Sequence, residues 1–111
     1  MNASSEPTVA PRLDERERVS EVLRRHEGEL RARGVTRLAL FGSAARGDVG
    51  PESDVDLLIE VDPESRFGLF AFLDLKGELA SLLGRRVDLA FADAMRPRLR
   101  TAVLRDAVEV F

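Results

Sequence analysis

The segment at residues 53–61 constrains the fold most strongly, because it combines an apolar strand pattern with two carboxylates. Side chains at positions i and i+2 of a β-strand point to the same face of a sheet. Asp54 and Asp56 are therefore expected side by side, while Val55 and the alternating apolar residues after it pack behind them. Two adjacent anions repel each other unless a cation lies between them. The pattern predicts a site for a divalent metal, and such metals commonly hold phosphate-bearing substrates.

The length and composition of the chain predict one small domain. Its 111 residues can bury a single hydrophobic core. Residues 1–11 carry Ser and Pro but few apolar side chains, so we expect a disordered N-terminal tail there and one folded domain over residues 12–111. Because the sequence has no cysteine, it can form neither a disulfide nor a cysteine-based zinc site.

Charge and hydropathy limit which kinds of partner and which cellular compartment are expected. The formal net charge of −3 argues against a general nucleic-acid-binding surface. No apolar stretch approaches the roughly 20 residues that cross a bilayer, so no membrane association is expected. The N-terminus lacks the basic and apolar regions of a secretory signal, which predicts a cytoplasmic location.

Hydrophobic periodicity predicts alternating helices and strands. The predicted helices cover residues 13–33, 67–83 and 97–106, with one helical turn at 43–47. The predicted strands cover residues 35–41, 53–61 and 86–91, with turn residues at 48–52 and a possible edge strand near 108–110. This order predicts an α/β (α+β) fold, in which helices pack on one face of a small mixed β-sheet. The carboxylates are expected on the uncovered face.

Gly42 and Ser43 lie where the apolar run at residues 38–41 ends. Glycine lets the backbone approach a ligand closely, and the amides at the start of a short helix favour a phosphate group. Ser43 adds a hydroxyl. The pair is weak evidence by itself, because Gly and Ser are common in ordinary turns.

A third carboxylate, Asp88, lies inside the predicted strand at residues 86–91, where Asp is uncommon. One alternative for Asp88 is an edge position in which it pairs with Arg85 or Arg86. The corresponding alternative for the first two carboxylates is a turn with Ser53 and a solvated place on an open sheet face. Taken together, the glycine-serine turn and the three carboxylates predict a phosphate cradle beside acidic groups on neighbouring strands.

These residues also match a known family. Residues 42–47 have the sequence Gly-Ser-Ala-Ala-Arg-Gly, and residues 53–57 have the sequence Ser-Asp-Val-Asp-Leu. Their composition and spacing fit the pattern G-S-x-A-R-G-x(5)-S-D-x-D-L of the nucleotidyltransferase superfamily that includes DNA polymerase beta. With Asp88 as the third carboxylate, the chain resembles the minimal nucleotidyltransferases, which are commonly the MntA-like antitoxins of toxin–antitoxin pairs with HEPN-domain ribonucleases.

The resemblance implies a polymerase beta-like fold and specific roles for the site residues. Gly42 and Ser43 would hold the β- and γ-phosphates of ATP. Asp54 and Asp56 would ligate two Mg²⁺ ions, and Asp88 would complete the shell of the catalytic ion and help deprotonate the attacking hydroxyl. The implied reaction is transfer of AMP from ATP to an acceptor hydroxyl, a tyrosine of a cognate HEPN toxin.

Two alternatives to this enzyme remain. The chain could be a non-catalytic antitoxin that neutralises its partner by direct complex formation. It could also modify a small molecule, although such enzymes usually have a further helical domain for which this chain has no length. Arg46 could contact either a phosphate or a carboxylate, so it is left outside the predicted site. Phe67, Phe70 and Phe72 are expected mostly in the core, and any that is exposed would mark a partner surface.

Overall fold

The structure of the chain, a computed structural model, describes residues 15–47 and 54–111. The predicted tail at 1–11, the predicted turn at 48–52 and Ser53 lie outside the described residues. The helices of the described part are α1 (Glu15–Arg24), α2 (Glu27–Ala32), α3 (Gly42–Ala45), α4 (Leu69–Leu83) and α5 (Pro97–Asp106). Its strands are β1 (Val35–Leu40), β2 (Val55–Val61), β3 (Val87–Phe91) and β4 (Val108–Glu109), and a 3₁₀ turn covers Ala92–Ala94.

The four strands of the described part form one mixed sheet in the order β3-β2-β1-β4. β1 is antiparallel to both β2 and β4, whereas β2 and β3 are parallel. A parallel pair needs a crossover connection, and α4 supplies it between β2 and β3. The mixed sheet and its helices confirm the predicted fold class.

The alternation of β2 places its apolar side chains in the core. Val55, Leu57 and Ile59 are almost fully buried, and they share one hydrophobic cluster with Leu23 of α1 and Leu75 of α4. The intervening positions of β2 therefore point to the second face of the sheet. Part of that face is covered, because Leu58 is buried and β2 contacts the 3₁₀ turn that contains the buried Ala92.

The prediction of one continuous helix over residues 13–33 is wrong. α1 ends at Arg24 and α2 begins at Glu27, so the described part of residues 13–33 forms two helices rather than one. At the break, the amide of His26 donates to the carbonyl of Leu23 at 3.0 Å, three residues back instead of four. His26 Nδ1 also lies 3.0 Å from the carbonyl oxygen of Val22. The single histidine of the sequence is thus half-buried at a helix break.

The phenylalanines near α4 divide into two groups. Phe67 and Phe72 pack against Phe91, with ring centroids 5.9 Å and 4.7 Å away, and both contact the core. Phe70 is exposed, so the expectation of a core position is wrong for this residue. Neighbouring positions of a helix differ in direction by about 100°, and Phe70 falls on the side that faces away from the sheet.

The C-terminus of α4 is fixed by Gly84. Its φ of 64° lies in the left-handed region, which glycine adopts without strain. The chain then turns directly into β3. Across residues 15–47 and 54–111, no helix combines the length and the apolar composition that crossing a membrane requires.

Candidate active site

Asp56 of β2 and Asp88 of β3 are direct neighbours across the parallel strand pair. Residues in register on adjacent strands point to the same face of a sheet. Asp56 is half-buried and Asp88 is exposed. The structure therefore brings together two of the three carboxylates singled out in the sequence, on the face opposite the main core.

Partial burial and neighbouring charges both act on the carboxyl group of Asp56. Its pKa is raised above 3.8, first by partial burial and then by the negative charges of Asp88 and Asp54. Arg46 acts in the opposite direction and lowers this pKa. The charge of Arg46 thus acts on a carboxylate of the site, which is one of the two roles considered for it. A cation placed among these carboxylates would relieve their repulsion.

Gly42 lies against the carboxylate of Asp56. A Cβ atom at position 42 would fall 2.5 Å from Asp56 Oδ2, and the φ of Gly42 is 61°. The amide of Phe41 donates to the carbonyl oxygen of Asp56 at 3.0 Å, which fixes this approach. Only glycine combines the left-handed conformation with room for the neighbouring carboxylate.

Ser43 is half-buried in the first turn of α3, the short helix that begins at Gly42. No side chain caps this helix start. The first amides of a helix have no intrahelical partners and suit an anionic group. Gly42 and Ser43 therefore lie at a helix start next to the carboxylate of Asp56, and their role in phosphate binding stays a prediction.

Asp54 is exposed, directly before β2, and its carboxylate is engaged by a cation. Arg86 Nε lies 2.9 Å from Asp54 Oδ1. The alternative considered for Asp88 was a pair with Arg85 or Arg86, but Arg86 pairs with Asp54. Arg85 instead contacts Glu15 of α1, with 2.7 Å between its Nη1 and Glu15 Oε2. Asp88 itself lies on β3, an edge strand of the sheet, as that alternative expected.

The predicted magnesium site can be tested against these donors. Within residues 15–47 and 54–111, no three acidic or imidazole side chains form a preassembled metal-binding group. The donor chemistry nevertheless fits, because carboxylate oxygens are the ligands that Mg²⁺ prefers, and a bound cation would offset the burial and the neighbouring negative charges that raise the pKa of Asp56. In a site that used all three carboxylates, Arg86 would compete with the metal for Asp54 Oδ1.

A cleft of about 630 Å³ lies between α4 and β3, beside the carboxylates. Asp54, Arg86 and Asp88 line one side, and Lys76 and Gly77 of α4 line the other. Lys76 is the single lysine of the sequence. The sequence prediction missed both α4 residues. The available signal was the glycine in the middle of a strong helix pattern, since glycine costs about 1 kcal/mol there relative to alanine.

Comparisons with known proteins agree with this geometry. Residues 23–110 match the family model of the nucleotidyltransferase domain. The protein adenylyltransferase MntA of Thermococcus cleftensis is 40% identical over 95 residues, which cover 85% of this chain and 94% of that protein. A solved structure described as a minimal nucleotidyltransferase is 38% identical, has a TM-score of 0.67, and is matched over 84% of this chain and 89% of its own.

A more distant solved structure shares the fold alone. It is the MNT antitoxin complex with the tri-AMPylated HEPN toxin of Shewanella oneidensis, which is 20% identical with a TM-score of 0.59 over 83% of this chain and 71% of that one. The family match extends over most of the chain and includes the strands that carry Asp56 and Asp88. The chain therefore belongs to the nucleotidyltransferase domain family of enzymes.

Proposed function

We propose that this chain is a Mg²⁺-dependent nucleotidyltransferase that transfers AMP from ATP to a tyrosine hydroxyl of a HEPN-domain toxin. The observation that carries the proposal is the side-by-side placement of Asp56 and Asp88, with Gly42 packed against the Asp56 carboxylate. Two carboxylates next to a helix start are suited to hold the metal and the phosphates of one substrate.

The role proposed for each residue follows from its position in the site. Asp54, Asp56 and Asp88 would hold the metal ions, and the amides at Gly42 and Ser43 would bind the β- and γ-phosphates. When bound, magnesium lowers the pKa of the attacking hydroxyl and offsets the charge of the leaving group. Asp88 is the most exposed of the paired carboxylates and is assigned to receive the proton of the hydroxyl.

The reaction joins the acceptor oxygen to the α-phosphorus of ATP. The bond between the α-phosphorus and the β-bridging oxygen breaks, so that pyrophosphate leaves and AMP stays on the acceptor. Lys76 and Arg86 line the same cleft as Asp54 and Asp88. Their positive charges would orient the phosphates, which is the main protein contribution in phosphoryl-transfer chemistry.

Support for a protein acceptor comes from the relatives. The similar Thermococcus protein is named a protein adenylyltransferase. The Shewanella complex contains an AMPylated HEPN toxin. A HEPN-domain protein encoded beside this chain is therefore the proposed partner, and a tyrosine of that protein is the proposed acceptor.

Radiolabelled ATP tests the reaction. The chain is incubated with Mg²⁺, the HEPN-domain protein of the neighbouring gene, and ATP labelled at either the α- or the γ-phosphate. We expect the α-label on the HEPN protein and no γ-label, with peptide mass spectrometry locating AMP on a tyrosine. Transfer of the γ-label would instead identify a kinase. A magnesium chelator should abolish the transfer.

A second candidate, a non-catalytic antitoxin, is favoured by one observation. The carboxylate of Asp54 is engaged in an ion pair with Arg86. A double variant, Asp54→Asn with Asp56→Asn, separates the two functions. If it still neutralises the toxin at equal expression, neutralisation acts through complex formation rather than through AMP transfer.

A further inference from the structure

An apolar patch on α4 lies beside the candidate active site. Leu69, Phe70 and Leu73 form this α4 patch, and their exposed fractions are 66%, 82% and 51%. Single exposed apolar residues are ordinary, but three large ones within two helical turns form a contiguous surface. Aromatic residues, including Phe, are enriched in the cores of protein–protein interfaces relative to the rest of the surface.

The α4 patch is continuous with the cleft, because Leu73 belongs to both. Lys76 and Gly77 follow Leu73 by three and four residues and lie on the same helix face. They line the cleft opposite Asp88. Along α4, the surface thus changes from apolar at Leu69 to cationic at Lys76, which lines the same cleft as Asp88.

We infer that the α4 patch binds the protein that accepts AMP, and that the acceptor's hydroxyl reaches the carboxylates through the adjoining cleft. The inference rests on the proposed function for the acceptor's identity. Transfer to a protein side chain requires the acceptor to be held in a defined orientation at the reacting phosphate. An apolar surface of the acceptor that flanks the reactive hydroxyl would pack on Phe70 and its leucine neighbours.

The size of the patch favours this occupant. The three side chains expose roughly 400 Å², about half of what one partner contributes to a standard interface. Self-association through the patch alone would therefore bury too little surface for a stable dimer. A partner that also enters the cleft gains the remaining area from its contacts with Lys76, Arg86 and the carboxylates.

Binding is measured separately from catalysis. The probe is the purified HEPN-domain protein of the neighbouring gene, and its affinity is determined by titration calorimetry in an Asp56→Asn background. We expect Phe70→Ser to weaken the complex at least tenfold and Leu73→Ser about threefold or more. The matched control is Leu99→Ser on α5, because Leu99 is 53% exposed, close to the 51% of Leu73. It should change the affinity less than twofold.

Thermal unfolding and ATP binding of the same variants distinguish a loss of docking from a loss of folding or of nucleotide binding. Phe70→Ser should retain the melting temperature and the ATP affinity of its Asp56→Asn parent. If Phe70→Ser binds the HEPN protein as tightly as its parent, or if the parent forms no complex, the docking inference is wrong. It is also wrong if the parent is a dimer that Phe70→Ser dissociates without affecting acceptor binding. If Phe70→Ser weakens the complex but wild-type chain transfers no label, docking holds and the proposed reaction fails.

Discussion

Asp56 and Asp88 face each other across the parallel strands β2 and β3, although they are 32 positions apart in the sequence (88 − 56). Their meeting depends on the register of the two strands. A shift of one residue in either strand would turn its carboxylate toward the hydrophobic core, because side chains alternate between faces. The buried neighbours Val55, Leu57 and Leu89 oppose such a shift. The same apolar pattern that builds the core thus aligns the acidic pair.

Replacing Asp56 with Asn should separate activity from stability. The substitution removes one of three neighbouring negative charges, so we expect AMP transfer to fall roughly a hundredfold or more. The metal-free protein should become more stable, since the partial burial and the neighbouring negative charges that raise the pKa of Asp56 no longer act on an ionised group. Label transfer and thermal unfolding in a chelator measure the two effects. Glu29→Gln, which neutralises an exposed carboxylate on α2, should leave transfer unchanged.

The stabilisation of Asp56→Asn should depend on pH in a defined direction. The pKa of Asp56 is raised above 3.8 in the folded chain, first by burial and then by Asp88 and Asp54. Well below 3.8 the carboxyl is protonated in both the folded and unfolded states, so it contributes no penalty. As the pH rises, the unfolded state ionises first, and wild type loses stability until the folded-state pKa is passed. The stability advantage of Asp56→Asn should therefore grow from about pH 3.5 toward a plateau near neutral pH. An advantage that shrinks over this range would contradict the electrostatic account.

Gly42→Ala should damage the site by steric contact rather than by unfolding. The new Cβ atom would meet Asp56 Oδ2 at 2.5 Å and would also occupy a left-handed φ of 61°. Gly84→Ala is a matched control, because its φ is 64° and a Cβ there meets nothing within 4 Å. Both variants should lose about 1 kcal/mol of stability through backbone strain. Only Gly42→Ala should lose most of its label transfer, and equal losses in both variants would show that strain alone is responsible.

The local pattern of the sequence was sufficient to predict the sheet and the face of it that carries the carboxylates. Alternation with a period of two placed Asp56 on the face opposite Leu57, and the same rule placed Asp88 opposite Leu89. It could not show that α1 stops at Arg24, because neither Gly nor Pro marks the break and the change is a single shift in hydrogen bonding. Periodicity describes which face a residue occupies but not where a helix is interrupted.

The details of the site depend on contacts between distant elements. The choice of Asp54 as the partner of Arg86 follows from the strand register, in which the amide of Val55 donates to the carbonyl of Arg86 at 2.9 Å. The exposure of Phe70 depends on how α4 is rotated on the sheet. Neither is encoded in a local pattern, so a sequence prediction could name the charged residues but not their partners.

Gly77→Ala should make the chain more stable and raise its KM for the acceptor. Gly77 lies in the middle of α4, and a Cβ at this position meets nothing within 4 Å. Alanine is favoured over glycine in a helix interior by about 0.5–1 kcal/mol, so the melting temperature should rise by a few degrees. The added methyl group projects from a residue that lines the cleft, and we expect the KM for the acceptor to rise about threefold with unchanged ATP affinity. Gly28→Ala on α2, which also meets nothing within 4 Å, should stabilise the chain without changing this KM. Unchanged kinetics in both variants would remove the cleft from the acceptor path.

Arg86→Gln should increase the affinity of the nucleotide-free chain for a divalent cation. Arg86 Nε contacts Asp54 Oδ1 at 2.9 Å, so the guanidinium and a metal ion compete for this carboxylate. Both side chains are exposed, and an exposed ion pair contributes at most about 1 kcal/mol. The affinity for Mn²⁺, measured by electron paramagnetic resonance, should therefore rise by no more than about fivefold. Arg37→Gln removes an equal charge from a residue paired with Glu60 and Glu109 at the opposite end of β2, and it should change the affinity less. If both variants bind Mn²⁺ equally well, the gain comes from net charge alone, and the contact between Arg86 and Asp54 does not compete with the metal.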